Sequence, residues 1–185
     1  MKKIVYLIII GIFVGCGSGY VRDNAYSRTY DMWRYMTPDR SMDIEYDMYE
    51  NGVKIDYFYE TNKVFPSGVV ERVSGEDRTL LTPYEDEIVV EESNGEIISV
   101  QRYVKIKDVN IFKAPSIKSC SADDYFRTIR IRQREFNEVI KINCKNRNGS
   151  NIDIYYGLDE GIVSIYREKD GNISEVVKVK DIPLV

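Results

Sequence analysis

The sequence has no histidine and only three cysteines in 185 residues. Without histidine, a chain has no Ser-His-Asp triad, no histidine metal ligand and no imidazole general base at neutral pH. The phosphate-binding patterns GxxxxGKS and GxGxxG are also missing. These absences remove the commonest designs of hydrolase, zinc enzyme and nucleotide-binding enzyme.

Acidic clusters are the remaining candidates for acid and base catalysis. They are Asp123-Asp124, Asp159-Glu160 and Glu85-Asp86-Glu87. Neighbouring residues of a strand point to opposite faces, and these clusters have the composition of solvated turns. The segments PYEDE and SADD lack the spacing of a recognised calcium loop. We therefore predict no enzymatic activity, no cofactor and no metal.

The one long apolar run lies at the start of the chain. Lys2 and Lys3 precede a largely apolar stretch, residues 4–14, and small Gly15 comes before Cys16. Charge, apolar run and small residue in this order are typical of an export signal. The run is shorter than the roughly 20 residues that a membrane-spanning helix needs.

The tetrad Phe13-Val14-Gly15-Cys16 resembles the lipobox of bacterial lipoproteins, with Phe13 at the usual leucine position. The resemblance implies that the Cys16 thiol is acylated and the signal is cut before it. It implies a signal peptide at 1–15 and a lipidated tether at 16–22. From the length of the remainder we expect a single domain at 23–185, which the strand pattern described below predicts to be β-rich. Two alternatives are an ordinary signal peptide with an incidental cysteine and a buried N-terminal strand.

Residues 17–19 and the overall charge bear on location and partners. Gly17-Ser18-Gly19 contains no aspartate after Cys16, which resembles lipoproteins sorted to the outer membrane. Cleavage at Cys16 leaves 24 basic and 30 acidic residues, a formal charge of −6. This balance argues against a nucleic-acid partner.

Cys120 and Cys144 form an even pair once Cys16 is assigned to lipid. We expect a disulfide between them, which would contribute roughly 3 to 4 kcal/mol through the entropy of the unfolded chain. Two reduced thiols or a redox couple are the alternatives, although CxxC spacing is missing.

From Met42 onward, apolar and polar residues alternate with period two. The first face consists of Met42, Ile44, Tyr46 and Met48, and Val53, Ile55, Tyr57 and Tyr59 are expected to continue it across a turn. Four turn dipeptides separate such segments: Asn51-Gly52, Asn94-Gly95, Asn148-Gly149 and Asp170-Gly171. Asn-Gly and Asp-Gly favour tight hairpins. The pattern predicts a mainly β fold, a curved antiparallel meander of about ten strands, half-barrel or barrel-like, with one wet face.

Only RDNAYSRTYDMWRYMT, residues 22–37, has helical spacing of its aromatic residues. We predict a short helix that starts at Asp23 or Asn24 and ends before Pro38. Its stripe of Tyr26, Tyr30, Trp33 and Met36 or Thr37 either packs on the sheet as a lid or contacts lipid or a partner.

One helix followed by a curved meander, behind a lipobox, resembles the half-barrel of the periplasmic lipoprotein carriers and their outer-membrane receptor. The segment IYYGLDEGIVSIY, residues 154–166, is similar to a hairpin found late in such folds. The resemblance implies a half-barrel over residues 22–180 and, as an alternative function, a carrier or sensor of a lipid. Many tyrosines at candidate inward positions predict a filled core instead. Lipocalin-like barrels and small sandwiches fit the same pattern.

Two further motifs carry candidate sites. Arg130, Arg132 and Arg134 alternate in FRTIRIRQRE, and arginine suits anionic ligands such as polysaccharides or lipid phosphates. The alternative is an exposed face balanced by Glu135 and Glu138. DGNIS, residues 170–174, resembles the extended acceptor of bacterial N-glycosylation, which makes Asn172 a candidate site.

The sequence thus predicts a bacterial envelope lipoprotein that is held by acyl chains on Cys16, most simply at the outer membrane facing the periplasm. We expect a non-enzymatic binding or scaffolding module whose partners are the membrane and another envelope protein or lipid.

Overall fold

The computed structural model describes residues 25–184. Cys16, the predicted signal peptide and the predicted tether therefore lie outside the described residues. Within them, one short helix, α1, spans Met32–Met36, and a single 3-10 turn spans Ala25–Ser27.

The rest of the described chain is mainly β-strand. The strands are β1 Tyr30–Asp31, β2 Met42–Glu50, β3 Val53–Val64, β4 Val70–Ser74, β5 Asp77–Pro83, β6 Glu87–Glu92, β7 Ile97–Gln101, β8 Tyr103–Val104, β9 Phe112–Lys113, β10 Ile117–Ile131, β11 Arg134–Asn146, β12 Asn151–Gly157, β13 Gly161–Lys169 and β14 Asn172–Pro183. The prediction of a mainly β fold is confirmed.

Twelve strands form one antiparallel sheet in the order β10-β11-β12-β13-β14-β2-β3-β4-β5-β6-β7-β9. Its two edges approach each other. The Ile111 amide donates to the Cys120 carbonyl at 3.2 Å, and the Ala122 amide donates to the Asp108 carbonyl at 3.0 Å. The sheet is therefore a nearly closed barrel, which leaves few unpaired edge groups.

All four turn dipeptides connect neighbouring antiparallel strands, as predicted. Asn51-Gly52 has φ values of 47° and 86°, and Asp170-Gly171 has 51° and 78°. Two consecutive positive φ values match the right-handed twist of the flanking strands, and Asn, Asp and Gly adopt them most easily. Local turn chemistry therefore sets these hairpins.

The helix is shorter than predicted and starts later. Asp31, not Asp23 or Asn24, caps it, because its side chain accepts a 3.1 Å hydrogen bond from the Trp33 amide. Directly before α1 the chain is extended: β1 pairs with β8, and Arg102 forms an ion pair with Asp31. Pairing with β8, some 70 residues away in the sequence, thus takes the place of the predicted helical turn directly before α1. The predicted end before Pro38 is confirmed.

The interior of the barrel is filled by side chains. Met32, Tyr35 and Met36 of α1 are at most 5% exposed and join a cluster with apolar residues from most strands of the sheet. Trp33 packs against this cluster, whereas Tyr26 is 41% exposed. Most of the aromatic stripe therefore packs on the sheet, the first of the two interpretations of this stripe.

The prediction that four alternate side chains of β3 continue the inward face of β2 is wrong. Val53, Ile55, Tyr57 and Tyr59 are each about half exposed or more. Tyr57 pairs with Asp47 and Tyr59 with Glu45 on the outer face, while Phe58 stacks on Tyr46 inside. A register irregularity between Met48 and Tyr49 accompanies this pairing. A slip of one residue in phase moves every side chain to the opposite face.

Within the part of the chain that the structure describes, no helix has the length and apolar character needed to cross a membrane.

Candidate functional site

The outer face of β11 to β14 carries rows of polar and aromatic side chains. Strand register places Asn143, Asp153, Tyr166 and Glu175 side by side in one row. A second row consists of Lys145, Asn151 and Glu168, and a third of Lys141, Tyr155, Ser164 and Val177. Residues in register across antiparallel strands point to the same side of the sheet, so each row is a continuous strip.

Residues 126–139, the ends of β10 and β11 with their turn, form an arm that lies on this outer face. Phe136 and Val139 of the arm are buried against Val163 of β13, and Phe126 packs near Tyr155 with 6.4 Å between ring centroids. Ser164 and Val177 of the third row are only 1% and 2% exposed, although they point outward. The arm therefore covers much of the third row and leaves most of the first two open.

Two arginines hold the arm in place. Arg132, at the turn, donates to Glu175 Oε2 at 2.8 Å from Nε, and its guanidinium lies 4.3 Å from the Tyr49 ring centroid. Arg134 donates from Nη1 to the Lys178 carbonyl at 2.9 Å. Charge-assisted hydrogen bonds of this kind are stronger than neutral ones. Arg132 adopts φ of 56°, which the tight turn requires.

Two adjoining clefts lie beside the arm, and together we call them the outer trough. The first has a volume of about 320 Å³ and is lined by Arg130, Arg132, Tyr155, Ser164 and Glu175, with Ile129 and Ile131 from the arm. The second, about 250 Å³, is lined by Asn143, Lys145, Asn151, Asp153 and Glu168. Tyr166 lines both clefts, so its side chain separates the two halves of one surface depression.

The charges of the trough are partly neutralised from within. The Asn143 amide donates to Asp153 Oδ1 at 2.7 Å, and Lys141 Nζ lies 3.0 Å from Asp153 Oδ2. Partial burial lowers the pKa of Lys141, but Asp153 and Asp123 outweigh it and raise that pKa overall. Burial also raises the pKa of Tyr155, which keeps its hydroxyl protonated.

Two cations of the trough are left without such partners. Among residues 25–184, no carboxylate forms an ion pair with Arg130 or Lys145. Arg130 lies directly opposite Glu135 in the hairpin but does not bond to it. Arg130 in the first cleft and Lys145 in the second can therefore meet an anionic group, although Glu168 of the second cleft also forms no ion pair among the described residues.

Of the three arginines predicted from FRTIRIRQRE, the structure brings Arg130 and Arg132 to the trough. Arg134 lies apart from them, with its guanidinium 5.4 Å from the Phe136 ring centroid. The partners of Arg132 and Arg134 are Glu175 and a backbone carbonyl rather than Glu135 or Glu138. Anion binding by these arginines stays a prediction.

Sequence reasoning missed Tyr155, Tyr166 and the amides beside them. A signal for them exists, because Ile154 and Ile165 face the core and period-two alternation then turns Tyr155 and Tyr166 outward. The prediction overlooked this signal because it placed the tyrosines in the core.

The candidate glycosylation residue Asn172 follows the Asp170-Gly171 turn at the start of β14 and is exposed. It lines a third cleft together with Asn51 and Arg167. Modification of Asn172 stays a prediction.

The expected disulfide is present. Cys120 and Cys144 are register partners on β10 and β11, bonded with 4.1 Å between their Cα atoms, and both are buried. The bond lies in the main core, at the end of the hairpin opposite the arm. It therefore anchors the base from which the arm extends.

Buried charges inside the barrel have internal partners. Arg72 donates to the Met36 carbonyl at the end of α1 and to Asn62 Oδ1. The Lys178 ammonium, which is almost fully buried, lies 2.8 Å from Asp181 and 3.4 Å from Glu160. Burying a charge is tolerated only with such partners. These groups fix α1 and the β12–β13 turn to the sheet.

No protein-family model and no curated protein matches the chain. Among solved structures, one similar chain is a protein from Bacteroides fragilis NCTC 9343 that is described as exported and YMCC-like in fold. The two chains are 10% identical, the match covers 80% of this chain and 98% of that chain, and the TM-score is 0.40. Another is a LolA superfamily protein from Nitrosomonas europaea, with 10% identity, 83% and 90% coverage and a TM-score of 0.30. At TM-scores below 0.5, neither likeness supports an inference about function.

Proposed function

We propose that the protein is a lipid-anchored, non-enzymatic binding module of the bacterial envelope that takes its partner on the outer trough. Acyl chains on Cys16 hold it to the membrane, and the outer membrane facing the periplasm is the proposed location. The partner is another envelope component and not a nucleic acid.

The filled interior is the observation that carries this proposal. Met32, Tyr35 and Met36 are packed among the buried side chains of the interior, and interiors packed in this way have little room for further atoms. The outer trough, in contrast, is open and lined by side chains that the core does not use. Binding at the trough would leave the core intact.

The anchor is tested by growing cells that express the full chain with radioactive palmitate. We expect label on the wild type and none on the Cys16→Ser variant, which should also leave the membrane fraction. Absence of label on the wild type would contradict the anchor. The variant Cys120→Ser with Cys144→Ser serves as a control for general effects of cysteine loss, because it should still be labelled.

The choice between a surface module and a lipid carrier is tested by mass spectrometry. The full chain is extracted from membranes with detergent, purified and treated with organic solvent. We expect no stoichiometric non-covalent lipid, because side chains of α1 and of the strands pack together in the interior. One lipid released per chain would overturn the surface module in favour of the carrier.

A further inference from the structure

We infer that the outer trough binds an acidic oligosaccharide. The inference rests on the proposed function and names the ligand class for the same site. Three properties of the trough support it: its aromatic wall, its hydrogen-bonding groups and its unpaired cations.

The aromatic wall is supplied by Tyr166, with Tyr155 beside it in the neighbouring row. A sugar ring has one face of C–H groups that packs on an aromatic ring, while its hydroxyls remain at the edge. Tyrosine suits such a ligand, because its ring is apolar and its hydroxyl can bond at the wet end. A tyrosine shared by two adjoining clefts can contact two consecutive rings.

The second cleft supplies planar hydrogen-bonding groups. Asn143, Asn151, Asp153 and Glu168 all line it. A side-chain amide has two donor hydrogens and one acceptor oxygen, and a carboxylate has two acceptor oxygens. Pairs of adjacent sugar hydroxyls, each both donor and acceptor, complement these groups better than an aliphatic or purely anionic ligand does.

Two unpaired cations of the trough favour an acidic sugar. Glu175 neutralises Arg132, and Lys141 neutralises Asp153. Among the described residues that line the trough, Arg130, Arg132 and Lys145 balance Asp153, Glu168 and Glu175, but Arg130 and Lys145 form no ion pair there and can meet an anionic group. Guanidinium and ammonium groups bind carboxylate, sulfate and phosphate substituents.

The size of the trough agrees with a short chain of sugars. Asn143 to Glu175 crosses four strands in register, which is about 14 Å at about 4.8 Å between neighbouring strands. The arm closes one end of the trough, since Ile129 and Ile131 line the first cleft.

Calorimetric titration of the detergent-solubilised full chain tests the inference. The acidic probes are tetragalacturonate and a chondroitin sulfate tetrasaccharide, the neutral probe is maltotetraose, and the acidic probe without sugar is tetraglutamate. We expect an acidic saccharide to bind about tenfold more tightly than maltotetraose and tetraglutamate not to bind. Binding of neither acidic saccharide, or equal binding of tetraglutamate, would overturn the inference.

Matched variants locate the site. Tyr166→Ala should weaken binding about tenfold, and Arg130→Gln and Lys145→Gln should each weaken it about fivefold. Controls are Tyr84→Ala and Arg40→Gln, which change an exposed tyrosine and an exposed arginine outside the trough. If Tyr166→Ala fails to fold, the variants of the exposed cations Arg130 and Lys145 still test the site. Equal binding by the trough variants and the controls would refute the site.

The two proposals fail separately. If no acidic saccharide binds but Cys16 is acylated and no lipid is released, the envelope module stands and its ligand class is wrong. If a lipid is released and the trough still binds the sugar, the surface module is wrong as the sole function and the sugar site stands.

Discussion

The two surfaces of the twelve-stranded sheet are covered in different ways. The inner surface is covered by α1 and by side chains of most strands, which together form a cluster of twenty buried residues. The outer surface of β12 and β13 is covered by the sheet's own arm, around a cluster of only three buried residues. The inner cover is thus essential to the fold, whereas the outer cover is local and leaves a surface free for binding.

Alkaline pH should cause the largest loss of folding stability, and it should do so by ionising tyrosines on the inner surface. Burial raises the pKa of Tyr156 to about 12 and, with a smaller contribution from Tyr125, that of Tyr30 to about 12. Burial also raises the pKa of Tyr35 and Tyr46. Each unit of pKa difference corresponds to about 1.4 kcal/mol. The loss of stability on ionising these four tyrosines should therefore exceed the loss caused by any single substitution.

The direction of this pH effect on stability follows from the linkage between ionisation and folding. A tyrosine whose pKa is higher in the folded chain stabilises the fold fully below pH 10, and this contribution is lost as the pH rises towards 12. We expect ultraviolet absorbance at 295 nm to show the four inner tyrosines ionising together with the loss of circular dichroism. Ionisation of all tyrosines while the fold persists would contradict a dry interior.

Removing one inner side chain should give the next largest effect. Met32 is fully buried, so Met32→Ala removes its packing and leaves a cavity, which should lower the free energy of unfolding by about 3 kcal/mol. Urea denaturation measures this value. Ile97→Ala, at a residue 59% exposed, is the control and should change it by less than about 0.5 kcal/mol. Equal effects of the two variants would show that α1 is not part of the core.

Features determined by adjacent residues could be predicted from the sequence. The Asn51-Gly52 and Asp170-Gly171 turns define their hairpins through their own φ values, and Cys120 faces Cys144 because two long alternating strands pair there. Features determined by distant partners could not. The start of α1 depends on β8, and the face of β3 depends on its register with β2.

The candidate site was predictable only in part, for the same reason. Arg130 and Arg132 are conspicuous in the sequence, and the structure brings both to the trough. The role of Tyr166 depends on which face of β13 is covered. That depends on the arm, which folds back over strands that follow it in sequence, and no local pattern shows this.

Releasing the arm should give the smallest effect on global stability and the most local one. The Arg132 and Glu175 side chains are 35% and 15% exposed, so solvent screens their ion pair and Arg132→Gln should lower the free energy of unfolding by at most about 1 kcal/mol. Hydrogen exchange should nevertheless accelerate at amides of the arm, residues 126–139, because Arg132 joins the turn to both Glu175 and Tyr49. Arg130→Gln, on the same hairpin but without an ion pair, is the matched control and should leave exchange unchanged. Acceleration throughout the sheet, or none in the arm, would show that the outer surface is not covered independently of the inner one.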